Sequence, residues 1–209
     1  MKVLNIHAKA NVDIKLPEDK LKKLPPNIGL VTTIQHLDRL NDVQAQLPNS
    51  IIAGQVLGCN TDAAVKINDQ VGVFLFIGSG IFHPIAIALK TKKPVFCWNP
   101  FTKELKQIKD DEIKQYEQKK KGSLTKFLSS DKIGILVSTK PGQYNMEKAL
   151  KLKKRADKDY YIFQFDTFNL NELENFPFIE CWVNTACPRI ADEKINIINI
   201  QDISGYEQL

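Results

Sequence analysis

No stretch of this sequence stays apolar for the ~20 residues that a membrane-spanning helix needs. The opening Met1-Lys2-Val3-Leu4-Asn5-Ile6-His7 is not followed by the long apolar core of a secretory leader. Neither membrane insertion nor export is expected, and a cytoplasmic location is. Cysteine is scarce, with one each at 59, 97, 181 and 187 and no Cys-x-x-Cys pair, which argues against a zinc finger or ribbon. With 209 residues, 43% of them apolar, the chain can bury a core without disulfide staples. Its thiols are then core filler, catalysts or metal ligands in a reducing compartment. Gly-x-Ser-x-Gly is also missing, so Ser79, His83 and Asp62 do not form a convincing hydrolase triad.

Excess charge of one sign is modest, at +5, and much of it sits in short lysine runs. One is Lys119-Lys120-Lys121; the other is Lys151, Lys153, Lys154 and Arg155. Such runs are read first as solvated helix faces. A docking surface for an acidic protein or RNA is the lesser alternative. No aromatic platform or nucleic-acid motif accompanies them, so direct nucleic-acid contact is not expected.

What is present is an alternation of short apolar strands and amphipathic helices. Strands are predicted at 3–8, 28–33, 50–57, 71–77 and 94–98, with helices at 17–24, 37–47 and 84–89. A long polar helix from about 104 to 121 follows, with Gly122 as its stop. The pattern then restarts, with strands at 133–138, 160–165, 181–185 and 195–200 and helices at 146–156 and 170–173. Apolar strands spaced by helices imply a mostly parallel sheet covered on both faces. The fold class is α/β, as two consecutive small three-layer units, 1–103 and 130–209, joined by a linking helix over 104–129.

Ligands of parallel sheets bind where strands end, and three segments fit. In Gly54-Gln55-Val56-Leu57-Gly58-Cys59-Asn60, Gly58 lets the backbone turn and presents Cys59 at a strand end; a cysteine buried under the next helix is an equal alternative. In Gly78-Ser79-Gly80-Ile81-Phe82-His83-Pro84, two glycines between strand and helix suit a phosphate or carboxylate cradle. The third glycine of a dinucleotide fingerprint and a Walker lysine are missing, so the segment is a weak nucleotide site. In Asn184-Thr185-Ala186-Cys187-Pro188-Arg189, a strand-end thiol stands beside an arginine able to bind a carboxylate; a proline-terminated strand with a surface arginine is the plain alternative. Cys97 and Cys181 lie inside apolar runs beside tryptophans and are read as core.

Taken in order, these segments resemble the archaeal diphthamide synthase family. The matching pieces are Gln35-His36, Gly54 to Asn60, Phe76 to Pro84, Asn99-Pro100-Phe101-Thr102-Lys103, Val137-Ser138 with Gly142-Gln143, Phe176-Pro177-Phe178 and Ala186-Cys187-Pro188-Arg189. They span nearly the whole chain. Position 99 departs from the family's usual aspartate.

The resemblance implies domains two and three of a non-standard radical S-adenosylmethionine enzyme. Such an enzyme transfers a 3-amino-3-carboxypropyl group to a histidine of elongation factor 2. It further implies a [4Fe–4S] cluster fed one cysteine by each of three similar domains, with Cys59 and Cys187 as the ligands present here. Gln55, Gly78, Ser79, Gly80 and Arg189 are the implied S-adenosylmethionine contacts. The first-domain cysteine has no counterpart in this sequence. A homodimer or a separate chain would supply it, Cys97 or Cys181 would be recruited, or the cluster is lost. The alternative function is a non-catalytic scaffold or binding partner that keeps the fold without a cluster.

Overall fold

The computed structural model describes residues 4, 6–192 and 196–204. The chain divides into two compact units, Met1–Lys114 and Gln115–Leu209, each with its own sheet.

In the first unit four parallel strands, β1 (Ile28–Thr32), β2 (Ile51–Gln55), β3 (Val73–Ile77) and β4 (Val95–Asn99), are joined by an antiparallel β5 (Glu104–Gln107). Their order is β2-β1-β3-β4-β5. β1 and β3 are buried at every position, as central strands covered on both faces must be. Side chains alternate between faces. Leu30, Leu75, Ile77 and Trp98 pack with Leu40 and Val43 of α2 (Leu40–Gln44) and with Ile14 and Leu16 of the incoming segment. Trp98 Nε1 donates to the Ile14 carbonyl at 2.9 Å, which fastens that segment to the sheet. On the other face Phe76 meets His83 of α4 (Phe82–Thr91), with ring centres 5.8 Å apart.

The second unit holds β6 (Lys132–Ser138), β7 (Asp159–Phe165), β8 (Cys181–Asn184) and β9 (Ile197–Asn199), all parallel, in the order β7-β6-β8-β9. Ile133, Ile135 and Val137 point to a helical layer. They meet Phe127 of α5 (Asp110–Ser129), Ala149 and Leu152 of α6 (Met146–Lys153), and Ile203 of α7 (Ile200–Ser204). Leu136, Trp182 and Ile197 point the other way, under Phe163, Phe165, Phe176 and Ile179. Gly134 belongs to this second face, and a Cβ there would overlap the Trp182 ring.

The α/β class with parallel sheets is what the sequence predicts, and four details differ. The segment predicted as one helix from 104 opens as β5, because Asn99 Oδ1 accepts the Phe101 and Thr102 amides and Lys103 takes φ 55°, turning the chain back on β4. The helix that follows runs through Gly122 to Ser129. One exposed glycine costs about 1 kcal/mol in a helix, and Phe127 and Leu124 hold the stripe in the core beyond it. The predicted strand at 3–8 lies partly outside the described residues, and residues 6–8 form no strand. The last strand is Ile197–Asn199; positions 193–195 lie outside the described residues, and Ile200 already opens α7. Among the described residues no helix is long and apolar enough to cross a membrane.

Candidate functional site

In a parallel sheet the carboxyl ends of the strands open on one edge. A crevice forms there where the strand order reverses. In the first unit that point lies between β1 and β3, and in the second between β6 and β8.

Cys59 follows β2. A bulge between Leu30 and Val31, with Gly54 at φ 106°, shifts the register so that Gln55 pairs with Thr32. Leu57 and Asn60 then exchange backbone bonds of 2.7 and 3.1 Å and close a two-residue turn with Gly58 and Cys59 at its tip. The thiol is exposed. Asn60 Oδ1 accepts the Asp62 amide at 3.0 Å and starts α3 (Asp62–Lys66). Gly58 is required here because a Cβ would run into the Phe82 ring. That contact seats the cysteine turn against the first residue of α4.

The chain enters α4 from β3 through Gly78-Ser79-Gly80. Gly78 has φ 151° and Gly80 φ 77°, backbone states that favour glycine. Gly78 N–H bonds the Trp98 carbonyl at 2.9 Å, and Ser79 is exposed. The Cys59 turn and the Gly78–Gly80 turn are thus neighbours through Phe82. Gln55 is also exposed, but it lines a cleft of about 520 Å³ together with Ile52, Asn60, Asp62 and Lys66.

His36 carries a signal that composition and spacing did not single out. It lies in the helical turn after β1 and is 1% exposed, with neither ring nitrogen hydrogen-bonded among the described residues. Burial, then the Arg39 charge, holds the imidazole below its ordinary pKa and hence neutral at pH 7. A histidine directly after an apolar strand was the available clue.

In the second unit Cys187 follows β8 and is partly exposed. Asn184, 1% exposed, braces its loop. Its Nδ2 donates to the Cys187 carbonyl at 2.8 Å and to Asn199 Oδ1 at 2.7 Å, and its Oδ1 accepts the Ala186 amide at 2.9 Å. Asn199 Nδ2 adds a bond to the Pro188 carbonyl at 3.3 Å. Asn199 was missed; a polar residue inside the run Ile197-Ile198-Asn199-Ile200 was its only trace. Arg189 is exposed on the next turn, with Nε 3.9 Å from Asp192. The two thiols occupy different places in like sheets, since Cys59 leaves an edge strand and Cys187 a central one.

Cys97 and Cys181 lie within β4 and β8 and are buried. Burial pushes the Cys97 thiol up to about 12, helped by Glu112, and the Cys181 thiol up to about 11. Both stay protonated and suit packing rather than ligation. Among the described residues no three His, Cys, Asp or Glu side chains gather as a metal site. The lysine run at 119–121 is less idle than expected. Lys119 Nζ donates to the Asp192 carbonyl at 3.0 Å, and Lys120 pairs with Asp202 at 2.6 Å.

Residues 1–195 match the family model of diphthamide synthesis proteins. The chain is 35% identical over 187 residues to 2-(3-amino-3-carboxypropyl)histidine synthase of Pyrococcus horikoshii, covering 82% of this chain and 53% of that protein. The synthase of the same name from Methanocaldococcus jannaschii is 33% identical over 183 residues, covering 85% and 49%. A crystal structure of Dph2 from Pyrococcus horikoshii with a 4Fe-4S cluster superposes with a TM-score of 0.75 at 30% identity, covering 89% of this chain and 58% of that one. The chain spans about half the length of the curated relatives it matches.

Proposed function

This chain belongs to the diphthamide synthesis protein family, and from that premise we propose that it is a 3-amino-3-carboxypropyl transferase, or one subunit of such an enzyme. Its acceptor is a histidine of elongation factor 2 and its donor is S-adenosylmethionine. Cys59 and Cys187 are two ligands of a [4Fe–4S] cluster. One observation carries this reading: each unit sets one accessible thiol on a loop leaving the carboxyl end of a strand, while the other two thiols are buried and protonated.

The thiols present fit the cluster in kind and fall short in number. Four irons take four ligands, and this chain supplies two thiolates. A third comes from a separate polypeptide or a second copy of this chain, and the methionine end of the donor completes the set. When bound and reduced, the cluster would supply the one electron that breaks the bond between the sulfonium sulfur and the aminocarboxypropyl group, leaving an aminocarboxypropyl radical and the adenosyl thioether. The residues of this chain bind and orient. The Gly78–Gly80 turn and Ser79 hold the donor beside the Cys59 turn, the neighbourhood fixed by the Gly58–Phe82 contact. Gln55 and Arg189 are rim contacts to the donor. Free thiols suit a reducing cytoplasm.

The test is anaerobic reconstitution of the full chain, read by iron and sulfide content and by reductive turnover of S-adenosylmethionine. Alone, the chain is expected to hold a substoichiometric, fragile cluster that becomes stable when a second polypeptide donates a thiolate. Cys59→Ser and Cys187→Ser should each abolish iron retention, while Cys97→Ala and Cys181→Ala keep it. Unchanged iron in both serine variants would overturn the assignment. A full cluster with turnover in the lone chain would overturn the need for a partner.

A further inference from the structure

The two lysine runs are used differently by the second unit. In the first, Lys119 and Lys120 are spent inside the fold, on the Asp192 carbonyl and on Asp202. The second run lies on and just after α6, with Lys148 one turn before it. Lys148 and Lys151 are exposed, and neither has an ion-pair or hydrogen-bond partner among the described residues. Three positions apart on a helix, they stand side by side, about 4.5 Å along the axis. Both border a cleft of about 290 Å³ between α6 and α7. Its floor is apolar: Leu152 and Ile203, which are rooted in the core of this unit, and the half-buried Ile200. Arg155 shares the rim and stands 3.7 Å from Asp157, so the uncommitted charge of the rim is that of the two lysines.

We propose that the cleft between α6 and α7 docks an acidic amphipathic helix of a partner protein, with an apolar side chain on Leu152, Ile200 and Ile203 and carboxylates on Lys148 and Lys151. The inference is independent of the cluster and donor assignments above. An apolar cleft rimmed by charge is a common mark of an interaction site. The sign of the rim selects an acidic partner, since two unpaired ammonium groups one helical turn apart match carboxylates spaced three or four residues along a facing helix. The floor selects a helix. It is made of side chains from two helices and offers no strand edge to an extended peptide, which is the arrangement of helix-in-groove recognition. RNA is disfavoured because no aromatic ring lines the cleft to stack a base. A membrane surface is disfavoured because it takes apolar groups that project from a helix face, whereas Leu152 and Ile203 are recessed.

The experiment uses the full chain with carbon-13 methyl labels on isoleucine and leucine. The probe is a helical peptide of about 15 residues, with leucines along one face and glutamates beside them. Two controls carry glutamine for every glutamate or serine for every leucine. The acidic peptide should shift the methyls of Leu152, Ile200 and Ile203 and leave Ile77 of the first unit unmoved. Binding should weaken as salt is raised, and both controls should bind more weakly. Lys148→Glu with Lys151→Glu should weaken the acidic peptide roughly tenfold or more. The same double variant should gain affinity for a peptide with lysine in place of glutamate, a rescue that a merely unfolded variant could not give. The glutamine control on the parent chain tests the charge without any substitution in the protein. Absent methyl shifts, a glutamine or serine control that binds as well, or a double variant that binds both peptides as the parent does would overturn the proposal. So would tighter binding of single-stranded RNA or of phosphatidylserine vesicles than of the peptide. If the shifts appear only after Tyr206→Ser and Leu209→Ser, the chain's own end is the occupant and the partner proposal falls.

Discussion

Replacing Asn184 with alanine tests whether the strand-end thiol of the second unit is held by a buried polar brace. The change deletes three hydrogen bonds of 2.7–2.9 Å, two donated by Nδ2 and one accepted by Oδ1. The Cys187 carbonyl keeps a partner, because the Ile190 amide also reaches it at 3.0 Å. Asn199 Oδ1 keeps none among the described residues, and Asn199 is 6% exposed. The Ala186 amide is only partly buried, so water can replace its bond. One orphaned acceptor at about 1–3 kcal/mol and two ordinary bonds at about 0.5–1.5 kcal/mol net suggest a loss of about 3 kcal/mol. That is a factor of roughly a hundred in the folded-to-unfolded ratio. It corresponds to roughly 6–12 °C in melting temperature for a chain of this size. Near-ultraviolet circular dichroism should report the melt, because Trp182 lies in the same strand. Timed alkylation adds a local readout: Cys187 should react faster in the variant, while Cys59 keeps its rate. A variant that melts within 1 °C of the parent and leaves Cys187 reactivity unchanged would refute the brace.

Gly134→Ala should destabilise by about 2 kcal/mol through overpacking, because the new methyl overlaps the Trp182 ring and comes 3.1 Å from Ile179 Cγ2; an unchanged melting curve would count against the packing described. Gly80→Ala has open space for its methyl but holds φ 77°, so it should fold with a loss of about 1 kcal/mol and weakened donor binding, checked by melting and calorimetry. The acid side depends on His36, whose pKa is lowered in the fold. Its contribution is present above the ordinary value of about 6.5 and is lost as pH falls and the unfolded ring takes up a proton first; His36→Leu should flatten that acid limb in urea melts. The alkaline side depends in part on Cys97, raised from 9.0 to about 12. Stability should fall as pH rises through that window, by up to about 1.4 kcal/mol per pH unit, and less steeply in Cys97→Val.

Strand positions were legible because burial on both faces writes itself as unbroken apolar runs, as in Val73-Phe74-Leu75-Phe76-Ile77. β5 was not, because Glu104-Leu105-Lys106-Gln107 at a sheet edge is mostly exposed and resembles a polar helix. What decides it is the Asn99 turn and the left-handed Lys103, a local geometry with little trace in composition. Gly122 misled in the opposite direction, since tertiary packing of Leu124 and Phe127 outweighs one glycine. At the candidate site Cys59 and the Gly78–Gly80 turn could be named from strand ends and glycines. Their adjacency could not, because it depends on the Phe82 ring filling the space that Gly58 leaves. Gln35-His36 was visible as a matching piece, yet the burial of the His36 ring and the part played by Asn199 were not, for a shared reason. Their meaning lies in what surrounds them, an empty hydrogen-bond valence in one case and a facing amide in the other.

The turn that carries Cys59 is closed by main-chain bonds running both ways between Leu57 and Asn60. The address of residue 59 is therefore written in the backbone, and its side chain is interchangeable cargo. A spin label, a mercury atom or a selenol attached there would ride at the same spot as the sulfur without asking the first sheet to repack. Cys187 shares this property, because Asn184 grips its carbonyl oxygen rather than its thiol. Each unit thus comes with a built-in port, and a probe placed at either one would report on the strand end of its own sheet.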